Sequence, residues 1–243
     1  WLDRLHRWIR GDWQNAPFLW DRALPLTRLD KYKLLDNLRR AMTPAASLLC
    51  LLLSPLFGGR AGQLLALAGL LAPIAGNLLA ALLALVHGGW LTLGGRYYSR
   101  VLPRAMGALT QAGYTLVMLP ACALSALDAA GRAVMRLFTR RNLLEWTTAA
   151  QAEKRRSGWR ESFARFWPAL LVAALLLVGG RGFARLGGLI FLLLIPLSVF
   201  SARPSPDRGV PALTAGQKER LSAYAAAMWR YYEEHCTAAD HYL

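Results

Sequence analysis

Along the chain, the first long apolar run covers residues 45–57. With Ala41 and Met42 it reaches about 17 residues, the lower limit for crossing about 30 Å of hydrocarbon at 1.5 Å per residue. Gly58-Gly59-Arg60 interrupts it, and a second run over 62–86 holds ten leucines and no charged residue. A leucine at a helix centre favours insertion by roughly 0.5 kcal/mol, so this run outweighs the cost of Asn77. The glycine turn makes the two runs an antiparallel helical hairpin. A second hairpin follows from the runs 167–178 and 186–200, joined by Gly179-Gly180-Arg181-Gly182-Phe183-Ala184-Arg185. Its first arm reaches span length by starting near Phe163, with Arg165 snorkelling to the interface.

Residues 105–127 are also long enough to cross, yet they carry Gln111, Tyr114, Thr115 and a central Pro120. Charge arbitrates. The stretch 128–166 holds nine cations against four acids, residues 1–41 are cation-rich, and Arg96, Arg100 and Arg104 lie between the hairpins. The positive-inside tendency keeps all of these on the cytoplasmic side only if the number of crossings is even. The pattern therefore predicts spans over 42–57, 63–86, 165–180 and 186–200, with 105–127 interfacial or re-entrant and 128–164 a cytoplasmic loop. Both ends are expected to be cytoplasmic.

The fold class expected is all-α, a polytopic membrane protein with helical hairpins, interfacial amphipathic helices and the first helix of a following cytoplasmic domain. Residues 1–41 precede the transmembrane region 42–200, and 201–243 form a linker and that first helix. Arg203, Pro204, Pro206, Arg208 and Pro211 end the last span, and Thr214 with Gln217 reads as a helix cap. Beyond it Leu221, Tyr224, Ala225, Met228, Trp229 and Tyr232 recur at helical spacing.

Composition agrees with the membrane reading: of 243 residues, 55% are hydrophobic and 18% charged. The formal charge of +15, from 29 Lys and Arg against 14 Asp and Glu, would point to nucleic acid in a soluble chain. Beside these apolar runs it is explained by topology and anionic headgroups. The lipid bilayer is thus the expected partner and nucleic acid is not. Likewise Arg96-Tyr97-Tyr98-Ser99-Arg100 reads as an aromatic anchor at a span end. Cys50, Cys122 and Cys236 lie far apart and suggest neither disulfides nor a thiolate metal site. Because the chain opens on Trp1-Leu2-Asp3-Arg4, with no initiator Met or signal peptide, it is expected to be an internal piece of a larger protein.

Few residues can carry chemistry. Glu233 and Glu234 are adjacent and diverge on a helix, and His235, Cys236, Asp240 and His241 match no zinc spacing, so no metal site and no catalytic base are expected here. The N-terminal run Arg4-Leu5-His6-Arg7-Trp8-Ile9-Arg10-Gly11-Asp12-Trp13-Gln14 is denser. On a helix Arg4 and Arg7 share a face, where guanidinium forks suit a diphosphate, and the Trp8 indole offers a platform for a sugar ring. An interfacial helix with Trp1, Trp8 and Trp13 at the headgroups fits the same spacing.

Arg4-x-x-Arg7-Trp8 resembles the motif that ends the catalytic domain of processive inverting glycosyltransferases of the cellulose-synthase type, and it too precedes membrane spans. The run on to Gln14 resembles the corresponding segment of cyclic β-1,2-glucan synthases. Residues 139–153, with Arg140-Arg141-Asn142-Leu143-Leu144-Glu145-Trp146, resemble that family's basic cytoplasmic loop, and residues 225–234, with Met228-Trp229-Arg230-Tyr231-Tyr232-Glu233-Glu234, the opening helix of its glucan-processing domain. The resemblance implies part of a multi-domain enzyme of the bacterial inner membrane that grows β-1,2-glucan from UDP-glucose with a divalent metal, Mg or Mn. It implies that Arg4 and Arg7 face the nucleotide diphosphate and Trp8 the acceptor sugar. The acidic metal and base motifs of such enzymes fall outside these residues, so the piece alone is expected to be inactive. The alternative is a non-catalytic membrane module, a transporter half or an anchoring subunit.

Overall fold

The computed structural model describes residues 2–86, 94–141, 159–201 and 212–236, except for the side chains of 94–98 and 100. Outside that description lie Trp1, most of the Leu-Leu-Glu-Trp stretch, the proline linker, Asp240 and His241, and the side chains of the Arg96-Tyr97-Tyr98 anchor. The described elements are helical, as the fold class requires. They are α1 (Leu2–Gln14), a 3-10 turn (Ala16–Leu19), α2 (Arg28–Phe57), α3 (Gly59–Leu71), α4 (Ala75–Val86), α5 (Gly94–Thr139), α6 (Trp159–Gly179), α7 (Phe183–Phe191), α8 (Leu194–Ser201) and α9 (Ala215–His235). Two compact units divide them, Trp1–Arg203 and Pro204–Leu243.

In the first unit α2 opens on a capping box. The Thr27 hydroxyl accepts from the Asp30 N–H at 3.2 Å, and the Asp30 carboxylate accepts from the Thr27 N–H at 2.9 Å. The helix then runs 30 residues through Pro44 and Pro55. It ends where Gly58 and Gly59 adopt φ of +61° and +46°, a left-handed corner that side-chain-bearing residues resist. The chain reverses there, and α3 packs antiparallel on α2 with glycines set into its backbone. A Cβ on Gly69 would stand 2.7 Å from the Ser47 carbonyl oxygen, and one on Gly62 would meet the Ser54 carbonyl. Ser47 and Ser54 are themselves buried, so small residues on both helices let the backbones approach.

The span expected over 63–86 is broken by a bend. α3 and α4 meet at a 69° bend across Ala72-Pro73-Ile74. Pro73 cannot donate a helix hydrogen bond, so the ladder opens at that point. α6 and α7 form the second hairpin as expected, but the last arm is interrupted between Phe191 and Leu194, ahead of Pro196.

A shared core joins both hairpins to α5. Leu51, Ala66, Leu119, Ala173, Leu176, Ala184 and Phe191 make one cluster, and Leu2, Met118, Phe166, Ala169 and Leu194 belong to another. Outward faces stay apolar, with Val178 85% and Leu56 79% exposed, which suits helices surrounded by lipid.

By length and composition four helical segments can cross a membrane: Arg28–Phe57, Val101–Thr139, Trp159–Gly179 and Phe183–Ser201. The bent pair α3 and α4 is a fifth if it counts as one span. The segment 105–127 thus lies within a helix of span length. That helix also runs beside α1: Leu2 joins a cluster with Val117 and Met118, and Ile9 one with Ala126 and Ala129.

The second unit contains α9. Its expected cap forms in full, the Thr214 N–H donating to Gln217 Oε1 at 3.0 Å and the Gln217 N–H to the Thr214 hydroxyl at 3.3 Å. Leu221, Tyr224, Met228, Trp229 and Tyr232 are all exposed.

Candidate functional site: a basic groove between α1, α5 and α6

The sequence of α1 divides its surface. Leu2 and Ile9 are buried, with Leu5 and Trp13 packed beside them, and this stripe seats the helix on α5 and on Ala41 of α2. The flanking face carries Asp3, His6, Arg7 and Arg10, turned into a groove of about 730 Å³ whose other walls are α5 and α6. Six arginines line it, Arg4, Arg7, Arg10, Arg132, Arg136 and Arg165, against the two carboxylates Asp3 and Asp128. Its floor is apolar, with Ala121, Phe166 and Ala169 all buried. A hollow of about 480 Å³ continues along α5 past Arg132, Arg136 and Arg141.

Two polar links fix the walls. His6 Nε2 lies 2.8 Å from the Asp128 carboxylate, which also accepts from Arg132 Nε at 2.8 and 2.9 Å, so α1 and α5 are tied through one acid. The Arg165 guanidinium grips Asp3, tying α6 to α1. Arg165 holds this inter-helix pair while staying partly exposed. Elsewhere on α1, burial raises the Asp12 carboxyl above its ordinary pKa, although Arg40 pulls it down.

Chemically, the groove can hold an anion. Both of its carboxylates are occupied by cationic partners, which does not fit a divalent metal. Among the described residues, no group of three or more His, Cys, Asp and Glu side chains is placed to hold one. At the end of α9, His235 stacks on Tyr231 with ring centroids 4.4 Å apart.

Of the residues singled out from the sequence, Arg4 and Arg7 both line the groove. Trp8 does not; it stands 57% exposed on α1. Sequence reasoning missed His6, Asp128, Arg132 and Arg136 as one constellation. Asp128-x-x-x-Arg132-x-x-x-Arg136 is visible as an i, i+4 series on one helix face. Nothing in the sequence indicates that this face meets α1.

No family model matches the chain. Over its whole length, in an alignment of 255 residues, it is 28% identical to the cyclic beta-(1,2)-glucan synthase NdvB of Rhizobium meliloti (strain 1021). The chain spans 9% of that much longer protein, to which it is similar from end to end.

Proposed function

We propose that this chain is the membrane region of a processive glycosyltransferase that makes β-1,2-glucan from UDP-glucose. The observation that carries the reading is the likeness to a glucan synthase over all 243 residues, with α1, both hairpins and α9 inside the matched region. The basic groove supports it. Arg4 and Arg7 are on one wall, where a guanidinium fork suits the diphosphate of a sugar nucleotide. Trp8, exposed one residue beyond, is free to meet an acceptor sugar.

In this reading the chain has its ends in the cytoplasm of a bacterial inner membrane, and α1 lies in the interface with α5 alongside. α5 has 46 residues, about 69 Å at 1.5 Å per residue, more than twice the hydrocarbon thickness, which favours a path along the membrane surface for much of its length. The divalent metal such an enzyme uses, Mg or Mn, is held by residues outside this chain, and the chain alone is inactive. Its part is to seat the catalytic domain, bind the diphosphate and carry the growing glucan. The test is incorporation of labelled UDP-glucose into β-1,2-glucan by membranes bearing the intact protein. No incorporation would leave the non-catalytic membrane module as the better account.

A further inference from the structure

Ahead of its apolar run, α2 and the turn before it leave large apolar side chains uncovered. Trp20 is 75% exposed, Tyr32 64% and Leu29 58%, and Phe18, Leu24 and Leu35 are exposed as well. The 3-10 turn that carries Phe18 packs on α2, and Leu29, Tyr32 and Leu35 recur at i, i+3 and i+6 along that helix. Apolar residues gathered in this way mark a contact surface. Membrane depth identifies what kind. Counted back from Phe57, about 20 residues cross about 30 Å of hydrocarbon, which puts the inner boundary near Leu38. The headgroup layer adds roughly 5 to 7 Å, about four residues, and ends near Leu34. Arg39 and Arg40 at the boundary fit this placement, as does Ala41, buried against α1. Tyr32 and Leu29 stand beyond the headgroups, where lipid does not cover them.

We infer that this surface is the seat of a folded cytoplasmic domain of the same polypeptide, one that lies outside these 243 residues and meets Leu29, Tyr32 and the Trp20 turn with an apolar, acid-rimmed face. Charge selects the rim. Asp36 is held by Arg39 and Arg40, and Asp30 by the Thr27 cap, whereas Arg22, Arg28, Lys31 and Lys33 are exposed among the apolar positions. A basic rim around an apolar centre is matched by an acidic one. Size supports the source: the chain spans 9% of its relative, so a protein of that length holds most of its mass elsewhere. The inference rests on the reading of this chain as the membrane region of a larger enzyme, and adds where the soluble part of that enzyme docks.

The test is photo-crosslinking of the intact protein in its membranes, with p-benzoylphenylalanine in place of Tyr32 or, in a second variant, of Leu29. Both side chains are exposed, so the probe disturbs no core. Illumination should join either position to a peptide of the same polypeptide from outside residues 1–243, identified by mass spectrometry. The same probe at Leu175, exposed in the middle of α6, should take up lipid alone. Adding Lys31→Glu and Lys33→Glu should lower the yield at position 32 by about fivefold or more, at an unchanged melting midpoint. Adducts with lipid only, or no adduct at either position, would overturn the inference. So would a product joining isotopically light and heavy copies, capture of a different protein, or a yield indifferent to the charge reversals. None of these readings needs glucan synthesis. The expected crosslink without UDP-glucose-dependent product would keep the docking surface and remove the glycosyltransferase reading, and synthesis with lipid adducts only would do the reverse.

Discussion

Gln63 and Gly182 fit together as a staple and the space it needs. From α3, the Gln63 side chain donates through Nε2 to the Arg181 carbonyl at 3.2 Å and accepts the Phe183 N–H through Oε1 at 3.1 Å. Gly182 sits between those two partners at φ +50°, and a Cβ there would collide with the Gln63 amide. One side chain thereby satisfies the turn of the second hairpin from the first, and brings both turns to the same end of the bundle. Asp3, His6, Asp128 and Arg165 pair at another place, around the groove.

Gly182→Ala should therefore cost more than removal of the staple itself. Gln63→Leu forfeits two partly exposed hydrogen bonds, about 1 to 2 kcal/mol. Gly182→Ala adds backbone strain in the left-handed region to loss of the same bonds, roughly 2 to 3 kcal/mol. Thermal unfolding in detergent gives the order, and an Ala variant more stable than the Leu variant would contradict it.

Gly69 and Gly113 offer a matched pair. Gly69→Ala drives a methyl against the Ser47 carbonyl and should lower the melting midpoint clearly. Gly113 in α5 has nothing within 4 Å of its would-be Cβ, so Ala there should be neutral or stabilising by up to about 1 kcal/mol. Equal effects at the two sites would refute the close approach of α2 and α3.

Sidedness follows from Gln63 as well. In a background without Cys50, Cys122 and Cys236, single cysteines at Arg60 and at Arg181 should react with an impermeant reagent from the same side of sealed cells, and one at Arg10 from the other. Labelling of positions 60 and 181 from opposite sides would break the hairpin register.

Asp12 gives a pH signature. Burial raises its folded pKa, so the protonated form suits the folded state, and Asp12 opposes folding as pH rises past the ordinary value of about 3.9. Asp12→Asn should raise the melting midpoint at pH 7, the gain shrinking as pH falls toward 4. A gain that grows on acidification would have the wrong sign.

The hairpins are legible in the sequence because leucine-rich runs and glycine turns are local signals. The cap at Thr214 is legible for the same reason, and Thr27-x-x-Asp30 carries an equal signal that places the start of α2 at Arg28 rather than near 42. The 69° bend has its cue in Pro73, outweighed by ten leucines. Gln63 looks like one more polar residue at a helix start, because its partners are 118 and 120 positions away. The arginines of α5 read as loop charge for a similar reason: only the pairing of α1 with α5 turns Arg132 and Arg136 toward Arg7.

Most directly, the central claim rests on how β-1,2-glucan synthesis from UDP-glucose responds to Arg7 and Trp8 in membranes carrying the intact protein, normalised to folded enzyme. A guanidinium on the diphosphate and an indole on the acceptor predict separate defects. Arg7→Gln should raise the KM for UDP-glucose roughly tenfold or more, while Trp8→Ala should slow elongation by about ten- to thirtyfold with little change in that KM. Wild-type turnover and KM in both variants, or no UDP-glucose-dependent glucan from the intact wild type, would contradict the account.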